Sequence, residues 1–224
     1  MLPAAATALS AAAEAGGAPR FWQGSGLDGG LDSATEVVVY PRSRSAAGGY
    51  DVVVFAESGA PRSAPDVAAR IVADLAAAGA LAVPAAAIDA ARVVARVTTV
   101  GGEGGEGVLP QEADLTGALS YRKGCYLGQE VMARIEARGS LKRGLATVEL
   151  DGAGAPHGAA PSPDGRAIEL DGRTVGVLGT SAVMPDGRVL ALAVMRLDLE
   201  DGAALSVAGL DVRLDPAAPS ILSS

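Results

Sequence analysis

Cysteine and histidine are almost absent from this chain, which contains one residue of each among 224 residues. A single cysteine cannot form an intrachain disulfide. One cysteine and one histidine also cannot supply the usual set of thiolate and imidazole ligands around a metal ion. We therefore expect no metal centre built by this chain alone, and His157, in a Gly/Pro/Ala loop, is expected to be exposed and without a role.

Positive charge and long apolar runs are scarce as well. The net charge is −8, which makes attraction to a nucleic-acid backbone a poor expectation, so we predict no direct nucleic-acid binding. No stretch reaches 18 apolar residues, and the first thirty residues lack a basic start followed by a compact apolar core. These absences predict no membrane span and no signal peptide, and they make the cytoplasm the expected location.

Short periodic segments are present in the first half of the chain. Two β-branched, apolar runs, Glu36–Tyr40 and Tyr50–Ala56, predict a hairpin-like pair of strands. Helices are predicted for Pro65–Ala78, which starts with proline and stops at a glycine, and for Pro84–Arg96. The segment 101–107 contains four glycines and two glutamates and is predicted to be a loop.

The pattern changes after residue 139. Asp-Gly pairs at 151, 164, 171, 186 and 201 separate short apolar runs, which predicts a small antiparallel barrel or sandwich. The predicted strands are Leu145–Leu150, Ala167–Leu170, Thr174–Leu178, Val189–Arg196, Ala204–Val207 and Val212–Leu214. We therefore divide the chain into a low-complexity segment 1–35, an α/β domain 36–142 and a β-barrel domain 143–224.

The chain's only cysteine, Cys125, lies in the run KGCYLGQE, from Lys123 to Glu130. Glycines at 124 and 128 predict a bend or a close approach of the backbone. A helix is predicted to follow, with an apolar stripe formed by Leu127, Val131 and Ile135 and a polar side formed by Glu130, Arg134 and Arg138. A thiol at such a helix start is favoured as thiolate, whereas the plain alternative is a buried, inert cysteine.

The run KGCYLGQE resembles the signature of the YgfZ family, the folate-binding relatives of the glycine-cleavage T-protein, an aminomethyltransferase. The resemblance covers roughly residues 80 to 215 and includes Leu109–Glu112 and Val131–Arg143. It continues more weakly through Val175–Val177, Thr180–Ala182, Ala191–Ala193 and Arg196. The T-protein lacks the cysteine signature, so the match favours YgfZ.

This resemblance implies an α+β fold in which a partial T-protein-like folate-binding α/β body precedes a small C-terminal antiparallel β-barrel. The family carries a further region before the part matched here, so the α/β domain is expected to be incomplete, through truncation or reduction. The implied role is that of an accessory protein that binds tetrahydrofolate or a derivative. It would support iron–sulfur cluster assembly or repair and iron–sulfur-dependent tRNA modification.

The resemblance also assigns site residues. Cys125 is the expected reactive residue, and its partners would be iron–sulfur enzymes or assembly proteins, because one thiol cannot hold a cluster alone. The expected folate contacts are Lys123, Gly124, Tyr126, Gly128, Gln129, Glu130 and Arg134.

Alternatives remain open. A folate-dependent aminomethyl transferase would need a carboxylate near the folate, but Val94 replaces the glutamate of the R-x-E-A-G-like run at 92–96. A third interpretation is a fragment with no activity of its own. Glu112 is predicted either to cap a turn or to contact ligand. The basic cluster Arg134, Arg138, Lys142 and Arg143 is either a solvated helix face or an anion site for a folate tail or RNA.

Overall fold

The computed structural model describes residues 20–23, 35–42, 44–45, 48–60, 62–121, 124–125, 128–138, 141–151, 158–159, 167–200 and 202–215. Two compact units divide the chain, residues 1–84 and residues 85–224. The low-complexity segment predicted for residues 1–35 lies mostly outside the described residues.

The first unit contains a three-stranded antiparallel sheet and one helix. Strands β1 (Arg20–Gln23), β2 (Thr35–Pro41) and β3 (Tyr50–Ala56) lie in that order. Alternate valines of β2 pack with Val67 and Ile71 of helix α1 (Ala64–Ala77) in a small core. The predicted strand pair and helix are confirmed.

Helix α1 begins at a capping box. The Ser63 hydroxyl accepts a hydrogen bond from the Asp66 amide (3.3 Å), and the Asp66 carboxylate accepts one from the Ser63 amide (3.4 Å). These bonds satisfy two amide donors that the helix start leaves without partners. Gly79 has a φ of +94°, a left-handed conformation that suits glycine and ends the helix.

The second unit begins with helix α2 (Ala85–Ala95). A turn-rich segment with a short 3₁₀ helix (Thr116–Ala118) follows, and helix α3 (Gln129–Arg138) comes next. Val93 of α2 is fully buried among apolar side chains of the barrel strands, so this helix packs on the barrel. The predicted helix 84–96 is confirmed.

The rest of this unit is a closed antiparallel barrel. Its strands are β4 (Arg143–Leu150), β5 (Gly158–Ala159), β6 (Ala167–Leu170), β7 (Arg173–Val183), β8 (Val189–Arg196), β9 (Leu205–Val207) and β10 (Leu210–Leu214). Six of them follow the order β7-β6-β9-β10-β4-β8, and pairing of β7 with β8 closes the ring; β5 adds to β7. The fold is therefore α+β with a C-terminal barrel, as expected from the sequence.

Turn chemistry explains the tight hairpins of the barrel. Asp171 and Gly172 have φ values of +51° and +73°, and Ala208 and Gly209 have values of +47° and +81°. Two consecutive left-handed residues form the turn type that matches the twist of antiparallel strands. The barrel interior is filled by alternate apolar residues of its strands, including Val148, Ile168, Leu178, Ala191 and Met195.

Several details differ from the sequence predictions. Val131 is 52% exposed, so the predicted apolar stripe of α3 is not buried at that position. Strand β7 runs to Val183, beyond the predicted 174–178, because residues 181–183 continue the pairing with β8. The loop 101–107 is turn-rich as predicted, but it buries Glu103. Among the described residues, every helix is too short or too polar to cross a lipid bilayer.

Candidate functional site

The thiol of Cys125 is exposed to solvent. The alternative of a buried cysteine is therefore wrong. Gly124, Cys125 and Gly128 are the described residues between Tyr121 and helix α3, whereas Lys123 and Tyr126, both predicted folate contacts, lie outside the described residues. An exposed thiol is accessible to a ligand or to another protein.

Gly128 sets the geometry of the helix start. Its φ is +85°, which residues with a side chain rarely adopt, and its carbonyl accepts the first helical bond from Met132 N (3.3 Å). The expectation of a special backbone conformation is confirmed at Gly128. At Gly124 an added Cβ would meet no atom of the described residues within 4 Å, and its φ is not positive.

Helix α3 carries three further predicted site residues, with Gln129 and Glu130 in its first turn and Arg134 in its second. Gln129 is half-buried, whereas the side chains of Glu130 and Arg134 are 85% and 59% exposed. Arg134 donates a hydrogen bond to Glu130 (2.8 Å), and this is the one pair that the described contacts form among the predicted site residues. Such an exposed pair one turn apart adds little stability, so both side chains remain available to a ligand.

The buried side chain of Glu112 holds the turn that precedes the KGCYLGQE run. Its Oε2 accepts a hydrogen bond from Leu109 N (3.0 Å), so it caps the turn 109–112. Arg143, the first residue of β4, donates from Nε to Oε1 (3.0 Å) and from Nη2 to Oε2 (2.7 Å). Arg143 Nη2 also donates to Gly107 O (2.8 Å). The bidentate pair ties the turn to the barrel.

A cleft of about 710 Å³ opens beside this pair; we call it the basic cleft. Its lining residues are Glu112, Leu141, Lys142, Arg143, Arg196, Leu197 and Asp198. Arg143 and Arg196 are directly opposite each other on β4 and β8, and Leu197 N donates to Lys142 O (3.1 Å). Lys142 and Arg143 thus form part of a cleft in the barrel domain rather than a continuation of a helix face.

Arg196 forms its own ion pair at the edge of the basic cleft. Its Nε donates to Asp198 Oδ1 (2.7 Å) and its Nη2 donates to Asp198 Oδ2. These hydrogen bonds hold the pKa of the Asp198 carboxyl below its ordinary value. Both side chains are more than half exposed, so the pair contributes little to stability.

A second buried network joins α2 to the barrel. Glu103 is inaccessible to solvent; its Oε1 accepts from Thr180 N (2.6 Å) and its Oε2 from Thr99 N (3.0 Å). Arg92 Nη2 lies 3.6 Å from Glu103, and Arg92 also donates to Asp89 (2.9 Å). Nothing in the glycine-rich sequence around Glu103 indicated this burial, because its partner Thr180 lies 77 residues away.

The end of α2 differs from the run that the resemblance predicts. The side chain of Val94, at the position expected to hold a carboxylate, is apolar and 63% exposed. Arg96 occupies the position expected to hold glycine and has a φ of +55°. Its Nη2 donates to Leu145 O of β4 (2.7 Å), a hydrogen bond that offsets the strain of the left-handed backbone.

Several known proteins resemble this chain. Residues 142–222 match the family model described as CAF17, C-terminal beta-barrel domain. The "tRNA-modifying protein YgfZ" of Cronobacter sakazakii (strain ATCC BAA-894) is 36% identical over 105 residues, covering 44% of this chain and 30% of that protein. The protein of the same name from Klebsiella pneumoniae (strain 342) is 35% identical over 98 residues, covering 41% and 28%.

Among solved structures, the glycine cleavage system aminomethyltransferase T from Bartonella henselae matches with a TM-score of 0.54. It is 16% identical, and the match covers 83% of this chain and 50% of that chain. This similarity shows the fold alone. The matched part of the curated relatives spans less than a third of their length.

Proposed function

Because this chain belongs to the YgfZ family, we propose that it is a folate-binding accessory protein for iron–sulfur cluster assembly or repair and iron–sulfur-dependent tRNA modification. The observation that carries the proposal is the exposed thiol of Cys125 within KGCYLGQE, at the approach to helix α3. The names of the matched relatives support a role in tRNA modification, since they are called tRNA-modifying proteins.

The proposed role of Cys125 requires a second protein. The chain has one cysteine and one histidine, too few to hold an iron–sulfur cluster by itself. An exposed thiol can reach a cluster or a thiol on an iron–sulfur enzyme or assembly protein. The action on tRNA would then pass through such partners, because a net charge of −8 disfavours direct contact with RNA.

The groups on α3 fit a folate in their chemistry. A pterin presents hydrogen-bond donors and acceptors, and the glutamate of folate presents carboxylates. Gln129 supplies an amide, Glu130 a carboxylate and Arg134 an exposed guanidinium, which binds carboxylates with paired hydrogen bonds. When bound, tetrahydrofolate would carry the one-carbon chemistry, while these residues would hold it near Cys125. Lys123, Gly124, Tyr126 and Gly128 complete the proposed contacts.

The transferase alternative gains no support from the described residues. Val94 has no group that could take or give a proton, and the similarity to the aminomethyltransferase shows only the fold.

Folate binding can be tested by titrating the full chain with tetrahydrofolate in an anaerobic calorimeter. We expect Arg134→Gln to weaken binding about tenfold, because it removes a charged hydrogen-bond donor. Arg70→Gln is a matched control, since Arg70 is also an exposed arginine paired one turn away, with Asp74 on α1. Equal affinities for both variants, or no binding by the unchanged chain, would contradict the proposed folate site.

A further inference from the structure

The basic cleft concentrates positive charge at directly opposite positions of the barrel. Arg143 and Arg196 face each other across strands β4 and β8, and Lys142 precedes Arg143 in the cleft wall. Like charges directly opposite each other in a sheet are destabilising. A bound anion between the two arginines would remove that repulsion.

The two carboxylates of the basic cleft accept hydrogen bonds from only some of the N–H groups of Arg143 and Arg196. Glu112 accepts from Nε and Nη2 of Arg143, and Asp198 accepts from Nε and Nη2 of Arg196. Each carboxylate therefore covers one edge of a guanidinium. Within the described part of the chain, Nη1 of neither arginine forms a hydrogen bond. The lining thus holds three cations against two carboxylates.

The two arginines differ in how firmly they are held. Arg143 is fixed, because its partner Glu112 is buried and is itself held by Leu109 N. Arg196 is held by Asp198, an exposed residue two positions further along the chain. An incoming anion can therefore replace Asp198 as the partner of Arg196, whereas Arg143 stays in place as a preorganised donor.

We propose that the basic cleft binds a small molecule through a phosphate or dicarboxylate group placed between Arg143 and Arg196. Both groups accept paired hydrogen bonds from guanidinium. The volume of about 710 Å³ falls within the range of small-molecule sites, roughly 300–1,000 Å³. A net charge of −8 opposes long polyanions, so RNA is not the ligand inferred here. This inference stands independently of the proposed folate site on α3.

The test is an NMR titration of the full, ¹⁵N-labelled chain at constant ionic strength. Inorganic pyrophosphate and glutarate are the probes for the two anion classes, and a short single-stranded RNA is the third arm. We expect one of the two small anions to bind with a Kd of about 1 mM or tighter. The amide shifts should centre on Lys142, Leu197 and Asp198. Shifts elsewhere, no shifts with either small anion, or tighter binding of the RNA would overturn the proposal.

Two charge-matched pairs of variants locate the site. Arg196→Gln should weaken binding of the better probe about tenfold. Arg188→Gln should leave it unchanged, although Arg188 is also an exposed arginine paired with an aspartate two residues away, Asp186, at the other end of β8. Asp198→Asn should tighten binding several-fold, whereas Asp186→Asn should not. If the two arginine variants, or the two aspartate variants, changed the Kd equally, the anion would be bound by general charge attraction. That result would overturn the proposal.

Discussion

We expect that replacing the buried Glu103 by alanine strongly destabilises the folded protein. In Glu103→Ala the amides of Thr99 and Thr180 lose their acceptor, and Arg92 loses the nearest buried negative charge. A buried donor left without a partner costs about 1–3 kcal/mol. Breaking a buried ion pair by removing one partner costs about 3–5 kcal/mol. Because these costs overlap, we expect a loss of about 3–5 kcal/mol in the free energy of unfolding.

The assay is urea denaturation followed by far-UV circular dichroism, since the only tryptophan, Trp22, lies in strand β1 of the other unit. Glu106→Ala is the matched control, because Glu106 lies in the same loop but is exposed. That control should change stability by less than about 0.5 kcal/mol. Glu103→Gln, which keeps one acceptor oxygen, should lose about 1–3 kcal/mol. A Glu103→Ala loss no larger than that of the control would refute the buried network.

Three further predictions use the same measurement of unfolding. Gly179→Ala should be destabilising, because its Cβ would lie 2.5 Å from a Glu103 oxygen. The double variant with Glu103→Ala should lose less free energy of unfolding than the two single variants lose together. Arg96→Gly should be about 1 kcal/mol more stable than Arg96→Ala; both lose the hydrogen bond to β4, but only glycine relieves the positive φ. A hydrogen bond from Arg44 lowers the pKa of Asp51 in the folded protein. The pair therefore stabilises the folded state above the pKa that Asp51 has in the unfolded chain, near pH 4. This stabilisation is lost as the pH falls through the pKa of Asp51 in the folded protein. Below about pH 5, the free energy of unfolding should therefore fall less steeply in Asp51→Asn than in the unchanged chain. The difference should be less than about 1 kcal/mol, because Arg44 is partly exposed. Equal cost of the two Arg96 variants, additive effects at Gly179, or an unchanged acid profile for Asp51→Asn would contradict the respective contact.

The local elements of this fold were predictable because their causes are local. Strand β2 contains three consecutive β-branched valines, and Ser63 and Asp66 form the cap of α1 within four residues. The Asp-Gly pair at 171–172 specifies a tight turn with positive φ values. Such features can be recognised without knowing what packs against them.

Features that depend on distant partners could not be predicted in the same way. Closure of the barrel depends on the pairing of β7 with β8, and a barrel and a sandwich share the same pattern of short strands. The burial of Glu103 depends on the Thr180 amide, although the surrounding glycines indicated a solvated loop. The exposure of Val131 likewise depends on what lies beside α3, whereas periodicity alone indicated an apolar stripe.

The sequence predicted where the candidate site lies, but it predicted few of the contacts between its residues. The only cysteine and the two nearby glycines identified the segment, and Cys125 is exposed there. The basic residues Lys142 and Arg143 were noticed as a cluster, but their meeting with Arg196 across two strands required the barrel register. Glu112 was expected either to cap or to contact ligand, and it caps a turn while pairing with Arg143.

The most direct test of the central claim replaces Cys125 in cells that lack their own YgfZ-family protein. Cys125→Ser should leave stability within about 0.5 kcal/mol of the unchanged chain, because the thiol is exposed. The variant should nevertheless fail to restore the tRNA nucleosides made by iron–sulfur enzymes, as measured by mass spectrometry at equal protein levels. The unchanged chain should restore them. Full restoration by Cys125→Ser would contradict a chemical role for this thiol and, with it, the proposed function.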